Sequence, residues 1–328
     1  MNGLDLLALP IDIYQRHLAA SQIAGRARAH LNKASLRVLD VGGFSRTPQG
    51  NAILPLAHFL PEDDVLAIDL QSEFVPNYAV ASGLHIPFSN GAFDLVTSCD
   101  TIEHVSPPGQ EAFVSELLRV TAHLTVLIAP FDGDLNRRAE RTLHDCLAEQ
   151  GIHSPPLQEH LDHGLPSLEG LKNMLVNRQL TIVDLPDGYL PHWLAMTLFN
   201  HSEDQSLELI RDVNRYYNQY FSPRDRREPA YRRVVVAAQP GDEGVLPSIS
   251  ELFYGLEPPA TGTDIGFMPD LVELLGNFRS AVTETQEQLR ALESENAWLR
   301  QQLDGYERGR FMRFMRRVQS WKKRVGLA

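Results

Sequence analysis

Apolar residues recur with two different periods between about residues 13 and 239. Short runs rich in Val, Ile and Leu predict strands, whereas stretches with apolar residues every three or four positions predict helices. The two kinds of element alternate, which is the pattern of an α/β fold with a doubly wound, mostly parallel sheet. We predict strands at residues 37–40, 65–69, 95–98, 125–129, 181–185 and 234–239. We predict helices around residues 13–31, 109–120, 167–179 and 204–221.

A stretch rich in proline and glycine follows this pattern. Residues 240–270 hold five prolines and five glycines, a density of breakers that does not suit a packed element. We therefore predict a linker there, which ends a first domain at residues 1–239. Within that domain, the inserts at residues 131–178 and 187–230 interrupt the last strands and are expected to cover a substrate.

A heptad repeat occupies residues 271–306. Core-type residues alternate at spacings of four and three through five heptads. The a positions are Leu275, Val282, Leu289, Asn296 and Leu303, and the d positions are Leu271, Phe278, Thr285, Leu292, Leu299 and Tyr306. A single Asn at an a position specifies register and favours a parallel two-stranded coil, so we predict a dimer. The narrow stripe and the preceding linker disfavour the alternative, a helix that lies back on the first domain.

The last segment, residues 307–328, has the pattern of a basic amphipathic helix. Its apolar residues share one helical face, and eight Lys or Arg residues lie elsewhere on it. The apolar residues are Phe311, Phe314, Met315, Val318, Trp321 and Val325. Such a helix suits an anionic membrane surface. Three alternatives remain for this segment: it contacts a calmodulin-like protein, it contacts nucleic acid, or it is a solvated chain end.

Charge and composition narrow the classes of function. The net charge is −12, and residues 1–307 alone carry −20, which disfavours nucleic acid as the main partner. Two cysteines without CxxC spacing offer neither a disulfide framework nor a thiolate zinc site. The longest uncharged apolar stretch, residues 188–200, is too short to span a membrane, and acidic residues near the start argue against a signal peptide. These features predict a cytoplasmic protein, with peripheral binding at the inner membrane face through the tail as an option.

The stretch LRVLDVGGFSR carries the first candidate site. Asp40 ends a predicted strand, and Gly42 and Gly43 follow. A nicotinamide-binding loop would read GxGxxG, and the second and third glycines of that pattern are missing. The stretch resembles instead the first motif of class I S-adenosylmethionine-dependent methyltransferases: acid, any residue, Gly, any residue, Gly. The resemblance implies that the acid fixes the cofactor's ammonium or orders water near it, and that the glycines pass under its methionine part. A glycine pair after a strand is also typical of an ordinary tight turn.

Three further stretches resemble the same family in the same order. VLAIDL ends in Asp69, which the resemblance places at the ribose hydroxyls of the cofactor. ASGLHIPFSNGAFDLV resembles the adenine-binding block, although Ser82 stands where members usually carry an aspartate, so that adenine recognition would rest more on backbone groups such as that of Gly83. SCDTIEHV resembles the end of the fourth strand, with Asp100 as a further cofactor residue. The resemblance, to the methyltransferase domain 11 type, implies a Rossmann-like methyltransferase sheet over residues 13–239 and S-adenosyl-L-methionine as cofactor.

The same stretch holds the candidate catalytic residues. His104 follows the fourth strand, where the resemblance places the methyl acceptor, and its reference pKa near 6.5 suits removal of a hydroxyl proton. Glu103 beside it is the second candidate. The alternative for His104 is to cap or pack the next helix.

A metal site is a second interpretation of the stretch SCDTIEHV. Asp100, Glu103 and His104 resemble the metal-binding signature of ubiquinone-pathway and small-RNA end methyltransferases, which implies Mg²⁺ or another divalent ion. Related domains with the same letters hold no metal, so we do not favour a metal here. Further ligands could come from HLDHGLP, which supplies His160, Asp162 and His163.

Together these features predict an enzyme that transfers a methyl group from S-adenosylmethionine to an acceptor hydroxyl. The coiled coil and basic tail resemble those that accompany many bacterial polysaccharide-modifying enzymes. This resemblance implies an acceptor on a glycan or lipid-linked intermediate of bacterial cell-surface polysaccharide synthesis. A small-molecule acceptor is one alternative. A non-catalytic interaction protein that acts through its coil is another, supported by Ser82 and the missing third glycine.

Overall fold

The computed structural model describes residues 4–47, 50–201, 207–254, 290–292 and 294–300, together with residues 316, 317, 320 and 324. The chain divides into two units, Met1–Ile265 and Gly266–Ala328. A seven-stranded sheet lies at the centre of the first unit. The strands are β1 (Arg37–Val41), β2 (Ser45–Arg46), β3 (Ala52–Ile53), β4 (Asp64–Asp69), β5 (Tyr78–Val80), β6 (Phe93–Cys99), β7 (Thr121–Pro130), β8 (Thr181–Tyr189) and β9 (Ala230–Ala238).

The sheet is mostly parallel, as the sequence predicts. Its strand order is β5-β4-β1-β6-β7-β9-β8, and β2 and β3 form a separate hairpin. The five strands from β5 to β7 run parallel to one another, whereas β9 lies antiparallel between β7 and β8. All six predicted strands belong to this sheet. The seventh, β5, has only three residues at the edge and was not predicted.

Helices cover both faces of the sheet. They are α1 (Ile11–Leu31), α2 (Pro55–Phe59), α3 (Pro107–Val120), α4 (Asp134–Glu149), α5 (Pro155–His163), α6 (Leu168–Asn177), α7 (Leu190–Asn200), α8 (Leu207–Tyr220) and α9 (Leu246–Tyr254). Alternate residues of each strand point to opposite faces. Val38 thus joins a core with Ala20 and Ile23 of α1, while Leu39 joins a core with Phe113 and Leu117 of α3. The doubly wound architecture follows from these two cores.

Helix α9 corrects the predicted linker. The expectation that residues 240–270 hold no packed element is wrong for Leu246–Tyr254, where Leu246, Ile249 and Phe253 join the same core as α1. Pro247 is the second residue of this helix, and proline is tolerated in a first turn because the N–H groups there have no helical partner. The end of the first domain, which we predicted at residue 239 from the density of prolines, therefore lies beyond α9.

The inserts lie at the carboxyl edge of the sheet. Helices α4 and α5 follow the end of β7, and α7 and α8 connect the end of β8 to the start of β9. Because β8 runs in the same direction as β7, both inserts leave the sheet at the edge where β1 and β6 also end. Ligands of open α/β sheets bind at this edge, so the inserts lie where a substrate cover is needed.

The second unit is described only in part. Residues 290–292 and 294–300 are helical, Leu292 and Leu299 are exposed, and the Asn296 amide donates to the Leu292 carbonyl at 3.1 Å. The other heptad positions lie outside the described residues. Of the basic tail, Arg316, Arg317, Ser320 and Arg324 are described as helical, and its predicted apolar face lies outside the described part. None of the described helices is both long and apolar enough to cross a membrane.

Candidate active site

The turn after β1 requires glycine. Gly42 has a φ of +80°, in the left-handed region, and its N–H donates to the carbonyl of Ile68 on the neighbouring strand β4 at 2.8 Å. A Cβ at this position would lie 2.1 Å from the Oγ1 of Thr101. Both the backbone conformation and the lack of space exclude a side chain. This turn therefore brings the backbone close to the carboxyl ends of β4 and β6.

Asp40 lies beneath the same turn. Its side chain is buried, and its Oδ1 accepts a hydrogen bond from the Thr97 hydroxyl at 2.9 Å. Its Oδ2 has no hydrogen-bond partner among the described residues, and a Cβ on Gly43 would lie 2.4 Å from it. Burial, only partly offset by the Thr97 hydrogen bond, raises the pKa of Asp40 to about 6. Asp40 thus offers an oxygen that a bound cation could use.

The other predicted cofactor residues occupy the adjacent strand ends. Asp69 ends β4, and its Oδ1 accepts from the backbone N–H groups of Leu70 and Gln71 at 2.6 and 3.3 Å. In the loop after β5, the Ser82 hydroxyl accepts from the N–H of Leu84 at 3.2 Å. A Cβ on Gly83 would lie 2.4 Å from the Phe113 ring. The fold therefore places Asp40, Asp69, Ser82 and Gly83 around the ends of β1, β4 and β5.

Asp100 follows β6 and is held by two arginines. Its backbone has a φ of +47°. The Arg232 guanidinium donates to its Oδ1 at 2.7 Å and to its Oδ2 at 2.5 Å, and Arg16 donates to Oδ2 at 2.6 Å. Burial alone would raise the pKa of Asp100, but the two guanidinium groups outweigh it and hold the pKa well below its usual range. Asp100 therefore carries a charge that these arginines already neutralise.

Three side chains converge beside Asp100. Ligand atoms of Glu103, His104 and His160 all lie within 4.8 Å of one another. Glu103 and His104 belong to a 3₁₀ turn after β6, and His160 comes from α5 in the first insert. This arrangement differs from the metal set of the second interpretation, which we did not favour: Asp100 lies outside the group because both its oxygens bind arginines. Of the three candidates in the insert, His160 joins the group and Asp162 and His163 do not.

Two outer carboxylates orient the histidine rings. The Nδ1 of His104 lies 2.9 Å from Glu159, and the Nδ1 of His160 lies 2.9 Å from Glu140, which also accepts from the Tyr231 hydroxyl at 2.8 Å. Because carboxylates only accept, the Nδ1 of each ring carries a proton, and in a neutral ring the Nε2 then keeps its lone pair. The His104 side chain retains 30% of its exposure, whereas Glu103 and His160 are buried.

Burial changes the charges of this cluster. Burial and then the neighbouring His160 lower the pKa of His104, so that its ring is neutral at pH 7. Burial and the charge of Asp100 raise the pKa of Glu103 well above its ordinary value. A neutral, partly exposed imidazole at the edge where ligands bind is able to accept a proton from a hydroxyl.

Several residues of the site were missed from the sequence. Arg16, Arg232, Glu140 and Tyr231 come from α1, β9 and α4, far along the chain from the motifs they support. Glu140 did carry a signal, because it lies on the buried face of α4 with Ala139, Leu143 and Leu147. A charged residue in an apolar helical stripe is uncommon without a buried partner. The arginines gave no comparable signal.

Comparison with known proteins bears on the first unit. Residues 47–128 match the family model described as a methyltransferase domain. No curated protein has a significant sequence match to the chain. Similar solved structures include the YcgJ protein of Bacillus subtilis, at 15% identity, covering 68% of this chain and 98% of that one with a TM-score of 0.40.

Two further structures extend this comparison. A SAM-dependent methyltransferase of Archaeoglobus fulgidus is 15% identical, covering 66% of this chain and 93% of that one with a TM-score of 0.37. The magnesium protoporphyrin IX methyltransferase of Synechocystis, solved with bound SAM, is 12% identical to this chain. The alignment covers 67% of this chain and 77% of that one, with a TM-score of 0.37.

The family match and the geometry of the site concern the same part of the fold. The matched span runs from the β2–β3 hairpin through β4, β5 and β6 into β7, and it contains Asp69, Ser82, Gly83 and Asp100. The glycine turn that precedes it lies at the carboxyl edge of the same mostly parallel sheet. Residues 47–128 are therefore a methyltransferase domain, set within this mostly parallel, Rossmann-like sheet.

Proposed function

We propose that the cofactor is S-adenosyl-L-methionine and that it binds across the carboxyl ends of β1, β4 and β5. The buried Oδ2 of Asp40 holds the ammonium of the methionine part, and Gly42 and Gly43 let that part lie against the backbone. Asp69 binds the ribose hydroxyls. Ser82 uses its hydroxyl within its own turn, so adenine is recognised by backbone groups around Gly83. Asp100 contributes through Arg16 and Arg232, which it fixes at the end of β6.

We propose further that the methyl group goes to a hydroxyl of the acceptor. The acceptor oxygen attacks the methyl carbon in line with the carbon–sulfur bond, that bond breaks, and the hydroxyl proton must leave. The supporting observation is the Glu103–His104–His160 cluster, which presents the lone pair of a neutral imidazole, His104, at the carboxyl edge. In this proposal His104 accepts the hydroxyl proton, and its neighbours Glu103 and His160 hold it in the cluster.

The acceptor we propose is a glycan or lipid-linked intermediate of bacterial cell-surface polysaccharide synthesis. The two helical inserts lie at the carboxyl edge, where they would partly cover a large acceptor. A small-molecule acceptor is the alternative. We assign residues 1–254 to the methyltransferase domain, 271–306 to a parallel coiled-coil dimer and 307–328 to a basic tail that binds anionic membrane. The protein would then work in the cytoplasm, at the inner face of the membrane.

Two substitutions test the division of roles in this site. Asp69→Ala should weaken S-adenosylmethionine binding at least tenfold in calorimetry, because the ribose loses a bidentate acceptor. His104→Ala should leave that binding within twofold and lower turnover by roughly 10²–10⁴-fold, the usual range for a lost general base. Turnover is followed as transfer of labelled methyl groups into lipid and polysaccharide fractions.

Asp162→Ala is the matched control, because Asp162 belongs to the same insert and lies outside the cluster. It should change neither quantity. The cofactor assignment would be wrong if Asp69→Ala bound the cofactor normally. Normal turnover by His104→Ala would return His104 to a packing role.

A further inference from the structure

We propose that Glu103, His104 and His160 bind one divalent transition-metal ion, of the kind that Zn²⁺ represents. This proposal deepens the proposed methyl transfer and rests on it for the ion's role. The ion would lie at the point where one carboxylate oxygen and two Nε2 atoms converge. The sequence motif alone placed Asp100 in this site; the fold replaces it with His160 from a different element.

The first argument is the direction of the unused atoms. The Nε2 of His160 and the Oε2 of Glu103 are buried and have no hydrogen-bond partner in the described part of the chain. Burying a polar atom without a partner costs about 1–3 kcal/mol, and two such atoms lie here in one cluster. One ligand atom from each of the three residues lies within 4.8 Å of the other two, so that small side-chain movements would bring all three to the distance of about 2.0–2.2 Å that an ion between them requires. A cation at that point would satisfy them together.

The second argument is the outer shell. The Nδ1 atoms of His104 and His160 each donate to a carboxylate, Glu159 and Glu140, at 2.9 Å. Glu140 is buried and also bonded to the Tyr231 hydroxyl, so the His160 ring has a fixed orientation. This carboxylate–histidine arrangement fixes the tautomer that leaves Nε2 free for a metal, and it is the usual outer shell of metal-bound histidines.

The close approach of the rings agrees with this interpretation. The centroids of His104 and His160 lie 4.8 Å apart at an interplanar angle of 37°. Since the Nδ1 of each ring bonds its own outer carboxylate, the Nε2 atoms are the ones left for an ion shared between the two rings.

The donor set decides the class of ion. Two imidazole nitrogens and one carboxylate oxygen match the ligands of catalytic zinc sites, whereas Mg²⁺ prefers oxygen ligands alone. Three protein ligands leave at least one coordination position open. His104 retains 30% of its side-chain exposure, so the open position is reachable from the carboxyl edge. When bound, such an ion would occupy the His104 lone pair and would itself lower the pKa of an acceptor hydroxyl, so the ion would take the place of His104 in promoting the proton loss.

Direct metal binding tests the site without reference to activity. The full-length protein is treated with a chelator, dialysed, and titrated with Co²⁺ while its visible absorption is recorded. We expect d–d bands that saturate at one Co²⁺ per chain, and that Zn²⁺ displaces the Co²⁺ at stoichiometric amounts while millimolar Mg²⁺ does not. No saturable bands, or displacement by Mg²⁺ as readily as by Zn²⁺, would overturn the assignment.

Variants locate the ion. His104→Gln should weaken Co²⁺ binding by more than the 10–100-fold that loss of an outer-shell partner costs, and Glu140→Gln by roughly that 10–100-fold. His104 is partly exposed, so its variant is expected to fold, which circular dichroism checks. His163→Gln is the matched control. His163 is an exposed histidine of α5, the helix that carries His160, and it lies outside the cluster. Equal Co²⁺ affinity of the His104 and His163 variants would contradict the proposal.

The outcomes separate this proposal from the proposed function. If no ion binds but His104→Ala still lowers turnover, the metal site is refuted and His104 acts as a plain base in the same reaction. If an ion binds at these residues but no hydroxyl is methylated, the metal site is confirmed and the proposed acceptor chemistry fails.

Discussion

At the scale of single residues, Asp40 is the clearest sign that the first unit is built for a ligand. An acid that is 2% exposed and has one oxygen without a partner is unfavourable in the empty protein. Its pKa of about 6 lies above the ordinary value of 3.8. The folded protein therefore binds more protons than the unfolded chain between these two values. The stability that this difference supplies is fully present below pH 3.8 and is lost as the pH rises through 6.

This titration can be measured with Asp40→Asn, which removes it. The free energy of unfolding of the wild-type protein minus that of the variant should fall by about 2.4 kcal/mol between pH 4 and pH 8, since one pKa unit corresponds to about 1.4 kcal/mol and part of the effect lies below pH 4. Urea denaturation at a series of pH values supplies both energies. Thr97→Val is the companion variant: it removes the Asp40 hydrogen bond and should enlarge the dependence. A difference that stays constant with pH would show that Asp40 ionises normally.

Sequence and structure agree unequally at this scale. Asp40, Gly42 and Gly43 were predictable because their requirement is local: a strand end and a backbone with φ of +80° at Gly42. The state of Asp100 was not predictable. Its partners Arg16 and Arg232 lie 84 and 132 positions away, and only the folded sheet brings them together. The same applies to the pairing of His104 with Glu159, 55 positions away.

At the scale of elements, the strands were the easiest to predict and the late helices the hardest. Strands of a parallel sheet are buried on both faces, and most residues of β1, β6 and β7 are buried and many of them apolar. The helices α4, α5 and α7 fall in the inserts, over residues for which the sequence analysis predicted no helix. The predicted linker failed at α9 because Pro247 was taken as a breaker although it occupies a first turn.

Helix α9 leads to a prediction about the domain boundary. Ile249 is fully buried, and the Arg226 guanidinium stacks 4.4 Å from the Phe253 ring centroid. Ile249→Ala should lower the free energy of unfolding by about 2–5 kcal/mol, the usual result of deleting methyl groups in a core. Glu251→Ala, on the exposed side of the same helix, should change it by less than about 0.5 kcal/mol. Denaturant titration measures both.

The same measurement decides where the domain ends. A chain that stops at residue 239 lacks three buried side chains of α9, so it should be much less stable than a chain that stops at residue 254. Each buried apolar side chain contributes about 1.5–3 kcal/mol, against a total stability of about 5–15 kcal/mol for a typical domain. Equal stability of the two chains would restore the shorter domain.

At the scale of the whole molecule, the distribution of charge matters more than its sum. The net charge of −12 combines −20 over residues 1–307 with eight basic residues and no acid after them. An anionic membrane repels the first part and attracts the second. In the proposed parallel dimer the two tails leave the coil at the same end, which brings sixteen basic groups to one surface. Each basic group near such a surface contributes about 1 kcal/mol, so pairing the tails strengthens the anchor.

Vesicle binding tests this arrangement. The full chain should bind vesicles that contain phosphatidylserine and not those of phosphatidylcholine alone, and 0.5 M salt should weaken the binding, because ions screen a surface attraction. Trp321→Asp should weaken it even at low salt, since it places a charge among the predicted apolar residues. Ser320→Asp adds the same charge at a position that helical spacing places opposite that face, so it should weaken vesicle binding much less than Trp321→Asp does. A chain ending at Tyr306 should keep normal cofactor affinity and lose vesicle binding. If that shortened chain binds anionic vesicles as well as the full one, the tail is not the anchor and the acidic methyltransferase domain must reach its acceptor by another route.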